Sequence, residues 1–296
     1  MEKAKENILP KMLPLYKASL EACDFSRLEE IRLRANRPMM IYDADGGKYC
    51  GATGVVFRKE DAITPSSEDI RKQLLVFCQS SIYAYQDDLG NGFLTLGGGH
   101  RVGVAGTAVI KSEKIATQKD ISGLNIRIAR AYPGCATPML SILMNEKRIF
   151  STLILSPPGV GKTTALRDIA RQLGHRFRVS IVDERSEIAA MEQGVPSFDI
   201  GEQTDVLDAF PKDKGILCAL RALSPNVIIT DEIGDEKDVY AIKQILKGGA
   251  KIITSMHGFH IEEITKNHAH LIRLFERIIL LERTKQGVEV AKWEKL

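Results

Sequence analysis

Residues 155–164, Leu-Ser-Pro-Pro-Gly-Val-Gly-Lys-Thr-Thr, constrain this chain more than any other stretch. They follow an apolar run, Leu153-Ile154-Leu155, that reads as a buried strand. They open into a segment with Leu166, Ile169, Ala170 and Leu173 on one helical face, closed by Gly174. A strand, a glycine-bearing loop and a helix that starts on Lys-Thr form a P-loop. In such a loop, backbone N–H groups from Val160 to Thr164 converge on a β-phosphate, and the helix dipole favours its charge. Lys162 reaches the β/γ-oxygens and the Thr163 hydroxyl ligates Mg²⁺. The pattern departs from G-x-x-x-x-G-K-[ST] at its first position, where Ser156 stands for Gly. Pro157 and Pro158 contribute no N–H, so Gly159, Val160, Gly161, Lys162, Thr163 and Thr164 carry the donors. The cofactors this implies are ATP and Mg²⁺.

A P-loop needs a second element to hold Mg²⁺ and orient water. Asn226-Val227-Ile228-Ile229-Thr230-Asp231-Glu232 supplies it: an apolar strand with Asp231 at its carboxyl end for the Mg²⁺ shell and Glu232 to polarise water. A third strand, ending at Asp183, leads into Glu184-Arg185-Ser186-Glu187. A fourth, Ile252 to Met256, ends in His257. Ligands of open α/β sheets bind at the carboxyl ends of strands, so these clusters are expected to converge. His257 is placed to sense a γ-phosphate; the rival readings are a core histidine or a metal site with His260, His268 and His270. Glu184, Glu187 and Glu232 compete for the water-orienting role. Arg221, just before the Asp231 strand, is expected to anchor a carboxylate of the site.

The segments 152–156, 178–183, 226–231 and 251–256 as strands, with helices at 162–173 and 236–247, give the alternation of a mostly parallel sheet. A terminal hairpin is expected from Arg277–Glu282 and Val288–Trp293 around Gln286-Gly287. Upstream, the first 20 residues read as a helix interrupted by Pro10 and Pro14. Residues 30–35 alternate as a strand with Arg32 and Arg34 outward, read as a solvated face. Pro65-Ser66-Ser67-Glu68-Asp69 opens a capped helix, and residues 92–110 form a hairpin about a triple glycine. Tyr132-Pro133-Gly134 punctuates the chain. The expected domains are a smaller α+β domain with its linker, 1–130, and a RecA-like P-loop core, 131–296.

Composition excludes several classes. Of 296 residues, 41 are basic and 38 acidic, a net +3 that argues against a general affinity for nucleic acid or anionic membrane. At 6% aromatics, with no interleaving of aromatic and basic residues, there is no stacking platform for single strands. The five cysteines are scattered without C-x-x-C, as in a reducing compartment, and read as buried packing. No apolar run approaches the length of a membrane span, and the polar start has no secretory signal, so the chain reads as cytosolic or peripheral through a partner.

No Leu-Ser-Gly-Gly-Gln follows the P-loop, as an ABC ATPase requires. Residues 258–296 are too few for the helical lid of a ring ATPase of the AAA type. The acidic box Asp183–Glu187, the Arg221-x-x-x-Pro225 lead-in and the box Thr254-Ser255-Met256-His257-Gly258 resemble those of the secretion-motor ATPases of type II and type IV systems. Glu30–Arg34, Gly98–Gly103, Leu124–Arg130, Ser156–Thr164, Val182–Ala189, Thr204–Asp208 and Asp231–Gly234 together resemble, more closely, the stage III sporulation AA family of endospore-forming bacteria. That resemblance implies a homo-hexameric ATPase in the cytoplasm on the mother-cell side. It would sit at the forespore membrane through membrane-protein partners of a transenvelope channel. It also implies that Arg101, Arg127 or Arg130 serves the phosphates. A nucleic-acid-dependent motor and a nucleotide-dependent scaffold are the competing classes.

Overall fold

The computed structural model describes residues 2–111, 113–146, 148–234, 236–284 and 287–296. It divides into two compact units, Met1–Arg130 and Ala131–Leu296.

The first unit lays helices on one face of an antiparallel sheet. It begins with α1 (Glu2–Ile8), a short 3-10 turn over Leu9–Lys11 and α2 (Pro14–Glu21), so the two prolines fall where a helix stops and where the next begins. Four strands follow: β1 (Glu30–Arg34), β2 (Arg37–Asp43), β3 (Gly46–Gly51) and β4 (Gly54–Val56). Helix α3 (Ser67–Phe77) starts on a full capping box, in which Ser66 accepts from the Asp69 N–H and Asp69 accepts from the Ser66 N–H. After α4 (Gln86–Asn91) come β5 (Phe93–Leu96), β6 (His100–Lys111) and β7 (Lys114–Arg127). The sheet order is β4-β3-β2-β1-β7-β6-β5. Ile31, Leu33, Val102, Val104, Leu124 and Ile126 point from β1, β6 and β7 into the core, where they meet Tyr16, Leu20, Ile70, Leu74 and Phe77. The alternate residues form the sheet's other face.

The second unit is a parallel α/β sheet. Its elements run α5 (Thr137–Leu143), β8 (Thr152–Ser156), α6 (Lys162–Leu173), β9 (Val179–Asp183), a two-residue hairpin β10 (Met191–Glu192) and β11 (Val195–Pro196), β12 (Thr204–Asp208) and α7 (Lys212–Ala222). They continue with β13 (Val227–Glu232), α8 (Glu236–Lys247), β14 (Lys251–His257), α9 (Ile261–Asn267), α10 (Ala269–Ile272), β15 (Arg277–Thr284) and β16 (Gly287–Lys295). The order β12-β9-β13-β14-β8-β15 is parallel throughout, and β16 closes the edge antiparallel to β15. The hairpin turn expected at Gln286-Gly287 lies partly outside the described residues at Gln286. Every residue of β8 and β9 is buried, which is why these strands read as continuous apolar runs. Ile154, Ile181, Ile229 and Ile253 face α5 and α6; Leu153, Leu155, Ile228 and Ile252 face the side of α7 and α8. All five cysteines are free thiols, three of them buried. No helix is long and apolar enough to cross a membrane among the described residues.

Candidate active site

The strand order decides which side chains meet. β14 is inserted between β8, which feeds the P-loop, and β13, which carries Asp231 and Glu232. His257 at the end of β14 therefore stands between the two halves. Lys162 Nζ lies 2.8 Å from His257 Nδ1 and 3.4 Å from the Ser156 carbonyl, and His257 Nε2 lies 3.2 Å from Glu232 Oε1. Lys162 can only donate, so Nδ1 accepts and Nε2 carries the proton offered to Glu232. At 45% side-chain exposure His257 is no core histidine.

The loop itself is built by glycine. Gly159 has φ +76° and Gly161, the residue capping α6, φ +117°, a region that L side chains avoid. A Cβ on Gly161 would also stand 2.9 Å from Val288 Cγ2, whereas one on Gly159 meets open space. Ser156 is wholly buried and donates its hydroxyl to the Pro157 carbonyl at 2.8 Å. It ends the strand instead of lining the cavity. Val160 tucks into the core, and Pro157 and Pro158 lie half-buried and exposed on the approach.

A cavity of about 310 Å³ collects Gly159, Gly161, Lys162, Thr163, Thr164, Arg185, Glu187, Asp231, Glu232 and His257. Burial lowers the Lys162 pKa, opposed by the Glu232 charge, and raises that of Asp231, opposed by Lys212. Glu184 lies elsewhere: it lines a neighbouring cavity of about 440 Å³ whose wall it shares with Glu232 and Lys212. Arg221 is exposed in the last turn of α7, which feeds the amino end of β13, and it lines neither cavity. Arg101, Arg127 and Arg130 belong to the first unit. There Arg101 stacks on Phe93 at 4.2 Å, Arg127 Nε lies 3.4 Å from Glu30, and Arg130 donates to the Leu28 carbonyl at 2.6 Å.

Two positioning residues, Arg167 and Lys212, were not singled out from the sequence, and a third, Asp183, was read only as a strand end and the start of the acidic box. Asp183 accepts from the N–H groups of Glu187, Ile188 and Ala189 at 2.8–2.9 Å, while burial pushes its carboxyl up to about 6. Arg167, on the buried face of α6, donates to the carbonyls of Ile188 at 2.7 Å and Glu187 at 2.5 Å and stacks on Phe198 at 3.7 Å. Both clamp the backbone that carries Arg185 and Glu187 to the cavity. Lys212, only 7% exposed, donates to the Glu232 carbonyl and stands 3.3 Å from Asp231 Oδ1 and 3.8 Å from Glu184 Oε2. It is ion-paired with Asp231, whose buried Oδ1 makes no close hydrogen bond. Buried lysines are rare unless paired, and no pattern in the sequence marks Lys212 as one.

The family described as "Sporulation stage III, protein AA" matches residues 5–293. The chain belongs to the sporulation stage III protein AA family. Stage III sporulation protein AA of Bacillus subtilis strain 168 is 35% identical over 289 residues, 94% of this chain and 90% of that one. The ycf45 protein of Porphyra purpurea is 31% identical over 71% of this chain, which corresponds to 36% of its own length. Among solved structures, this stage III AA family member shares its fold with the pilus retraction motor PilT with bound ADP, at TM-score 0.61 and 15% identity over 98% of the chain and 82% of PilT. The ATPase DotB of Legionella pneumophila gives TM-score 0.55 and 15% identity over 90% of the chain and 77% of DotB.

Proposed function

We propose that this protein is a Mg²⁺-dependent ATPase, a homo-hexameric motor that energises a transenvelope, secretion-like channel during endospore formation. It works in the cytoplasm on the mother-cell side, held at the forespore membrane by membrane-protein partners. The observation that carries this reading is the Lys162–His257–Glu232 chain at the carboxyl edge of the sheet, with Asp231 in the same cavity. The fold neighbours, a motor with bound ADP and an ATPase, support the same chemistry.

The residues present fit the ligands. Asp231 Oδ1 is a buried acceptor without a hydrogen bond, and Thr163 shares its cavity, so both suit a hydrated Mg²⁺. Mg²⁺ would neutralise charge developing on the β/γ-oxygens. The chain's own groups do the rest. Lys162 exchanges His257 for phosphate oxygens. His257, released from Lys162, keeps its Nε2–H on Glu232 and holds that carboxylate toward the space where water attacks. Arg101, Arg127 and Arg130 are proposed to reach phosphate, from this or a neighbouring copy, because a planar, permanently charged fork meets phosphate oxygens in pairs.

Phosphate release by the purified chain, with and without Mg²⁺, tests the reading. Release that depends on Mg²⁺ and is lost in Lys162→Ala supports it. Release absent in every oligomeric state, despite tight ATP binding, would replace the motor with a scaffold, and release that requires single-stranded DNA would replace it with a nucleic-acid motor.

A further inference from the structure

Arg32 and Arg34, half-buried, and Arg37, exposed, line one trough on the outer face of β1 and β2. Arg34 pairs directly with Arg37 across the tip of the β1–β2 hairpin, just past a slip in the ladder between Arg32 and Arg34. Like charges set opposite each other on adjacent strands are destabilising. Among the described residues neither guanidinium group makes a hydrogen bond or an ion pair. Arg32, two residues along on the same face, is balanced by Glu30 at 2.8 Å. Two positive charges are therefore left over at one place.

That place is a cavity. About 460 Å³ of space lies against Arg32, Arg34, Arg37, Asn125 and the glycines Gly103 and Gly123. Gly123 faces Arg34 in the β1–β7 ladder, and Gly103 faces Asn125 in the β6–β7 ladder, so the glycines form the floor beneath the guanidinium groups. The fold does not demand glycine at either position. Neither has a positive φ, and a Cβ would meet nothing closer than 3.7 Å at Gly103 and 3.4 Å at Gly123. Side chains there would fill the trough without disturbing the sheet. At the trough wall, Asn125 Oδ1 is buried with no hydrogen bond. A primary amide can turn either its acceptor or its N–H₂ group toward a ligand.

From this we infer that the outer face of the first unit's sheet is a binding site for a phosphomonoester. Arg34 and Arg37 clamp the phosphoryl oxygens, Asn125 supplies the amide contact, and the glycine floor seats the group. Two unbalanced guanidinium charges match the nearly double charge of a phosphomonoester better than the single charge of a carboxylate. The volume lies in the range of small-molecule sites. A soluble phosphomonoester and the headgroup of phosphatidate share this chemistry.

The test uses the full chain carrying Lys162→Ala, to weaken the P-loop as a competing phosphate site. Inorganic phosphate is titrated by calorimetry, and a saturable site filling within about 5 mM is expected. The pair Arg34→Gln/Arg37→Gln should weaken it at least tenfold. Gly103→Val, which fills the floor and suits a strand, should do the same with an unchanged circular dichroism spectrum. In a second arm, sedimentation with vesicles of phosphatidylcholine containing phosphatidate is measured. Pelleting that Gly103→Val abolishes assigns the site to the lipid headgroup; phosphate binding without pelleting assigns it to a soluble phosphomonoester. No saturable phosphate site, or phosphate binding equal in the folded Gly103→Val and arginine variants, overturns the proposal.

Discussion

The Lys162 ammonium rests on His257 Nδ1 at 2.8 Å, so the lysine that opens α6 is held by the last residue of β14. A phosphate must displace that contact to reach the lysine. His257→Ala removes both the competitor and the donor on Glu232 Oε1. The expected outcome is split: nucleotide affinity unchanged or up to about tenfold tighter, with turnover down about 10²-fold, the low end of what a well-aimed general base is worth, because Glu232 loses the group that orients it. A fluorescent ATP analogue reads the first and phosphate release the second. Equal losses in both would show that His257 binds nucleotide directly.

Lys162→Ala should remove hydrolysis, because losing a preorganised cation at developing charge costs roughly 3–4 kcal/mol, or about 10²–10³ in rate. Single-turnover rates check this. A rate within a factor of about three of the parent rules the lysine out of the chemistry.

Glu232→Gln should bind ATP and fail to turn it over, since an amide keeps the shape but is no base. Glu232 shares the P-loop cavity with Glu187, while Glu184 faces the neighbouring one and lies near Lys212. Glu184→Gln should therefore retain most activity. A dead Glu184→Gln protein beside an active Glu232→Gln protein would move the base to the acidic loop.

Asp183→Asn should act at a distance. The amide presents an N–H₂ group toward one of three backbone donors, so the loop from Glu184 to Ala190 loses part of its anchor. Hydrogen bonds to a charged acceptor are worth about 1.5–3 kcal/mol, so a fall in melting temperature of several degrees should accompany slower turnover. Calorimetry and initial rates on the same preparation test it.

His100 sets an acid limit on the first unit. Burial lowers its pKa to about 4, and its Nδ1 accepts the Ala129 N–H at 3.0 Å. The unfolded chain takes up a proton near the ordinary value of 6.5, whereas the folded chain refuses it until about 4. Stability present above pH 6.5 is therefore lost as pH falls toward 4, by about 3 kcal/mol at most. Urea unfolding at pH 7.5 and pH 5 should show the loss in the parent and a flatter response in His100→Gln.

What the sequence disclosed follows from how local each signal is. β8, α6, β13 and β14 were legible because a buried parallel strand is a short apolar run and a P-loop helix has a strong face. The convergence of Lys162, Glu232 and His257 followed from strand ends alone. Lys212 was invisible because its partners, Glu184, Asp231 and Glu232, are brought to it by three different elements. The roles of Asp183 and Arg167 were equally hidden, since each acts on backbone atoms and no pattern of side chains records that. Arg221 shows the converse: its position before β13 suggested the site, but in a parallel sheet that is the wrong end of the strand. In the first unit β2, β3 and β4 went unread: Met39-Met40-Ile41-Tyr42 runs apolar without alternation, β3 carries three glycines in six residues, and β4 is only three residues long.

The P-loop strand β8 is laid down before either of its neighbours, β14 and β15, has been made. Its flank is also tied late: the Ser151 N–H and the Lys251 ammonium both converge on Glu276. A chain leaving the ribosome therefore carries Gly159–Thr164 without the two strands that hold them in place. A ligand of that cavity cannot act as an early folding template for such a chain, because its lining is complete only once His257 at the end of β14 has emerged. Until then the exposed edges of β8 are a hazard for pairing with other nascent chains. Synthesis rate across residues 251–284 is thus expected to govern how much of the protein reaches a state with both flanks of β8 paired.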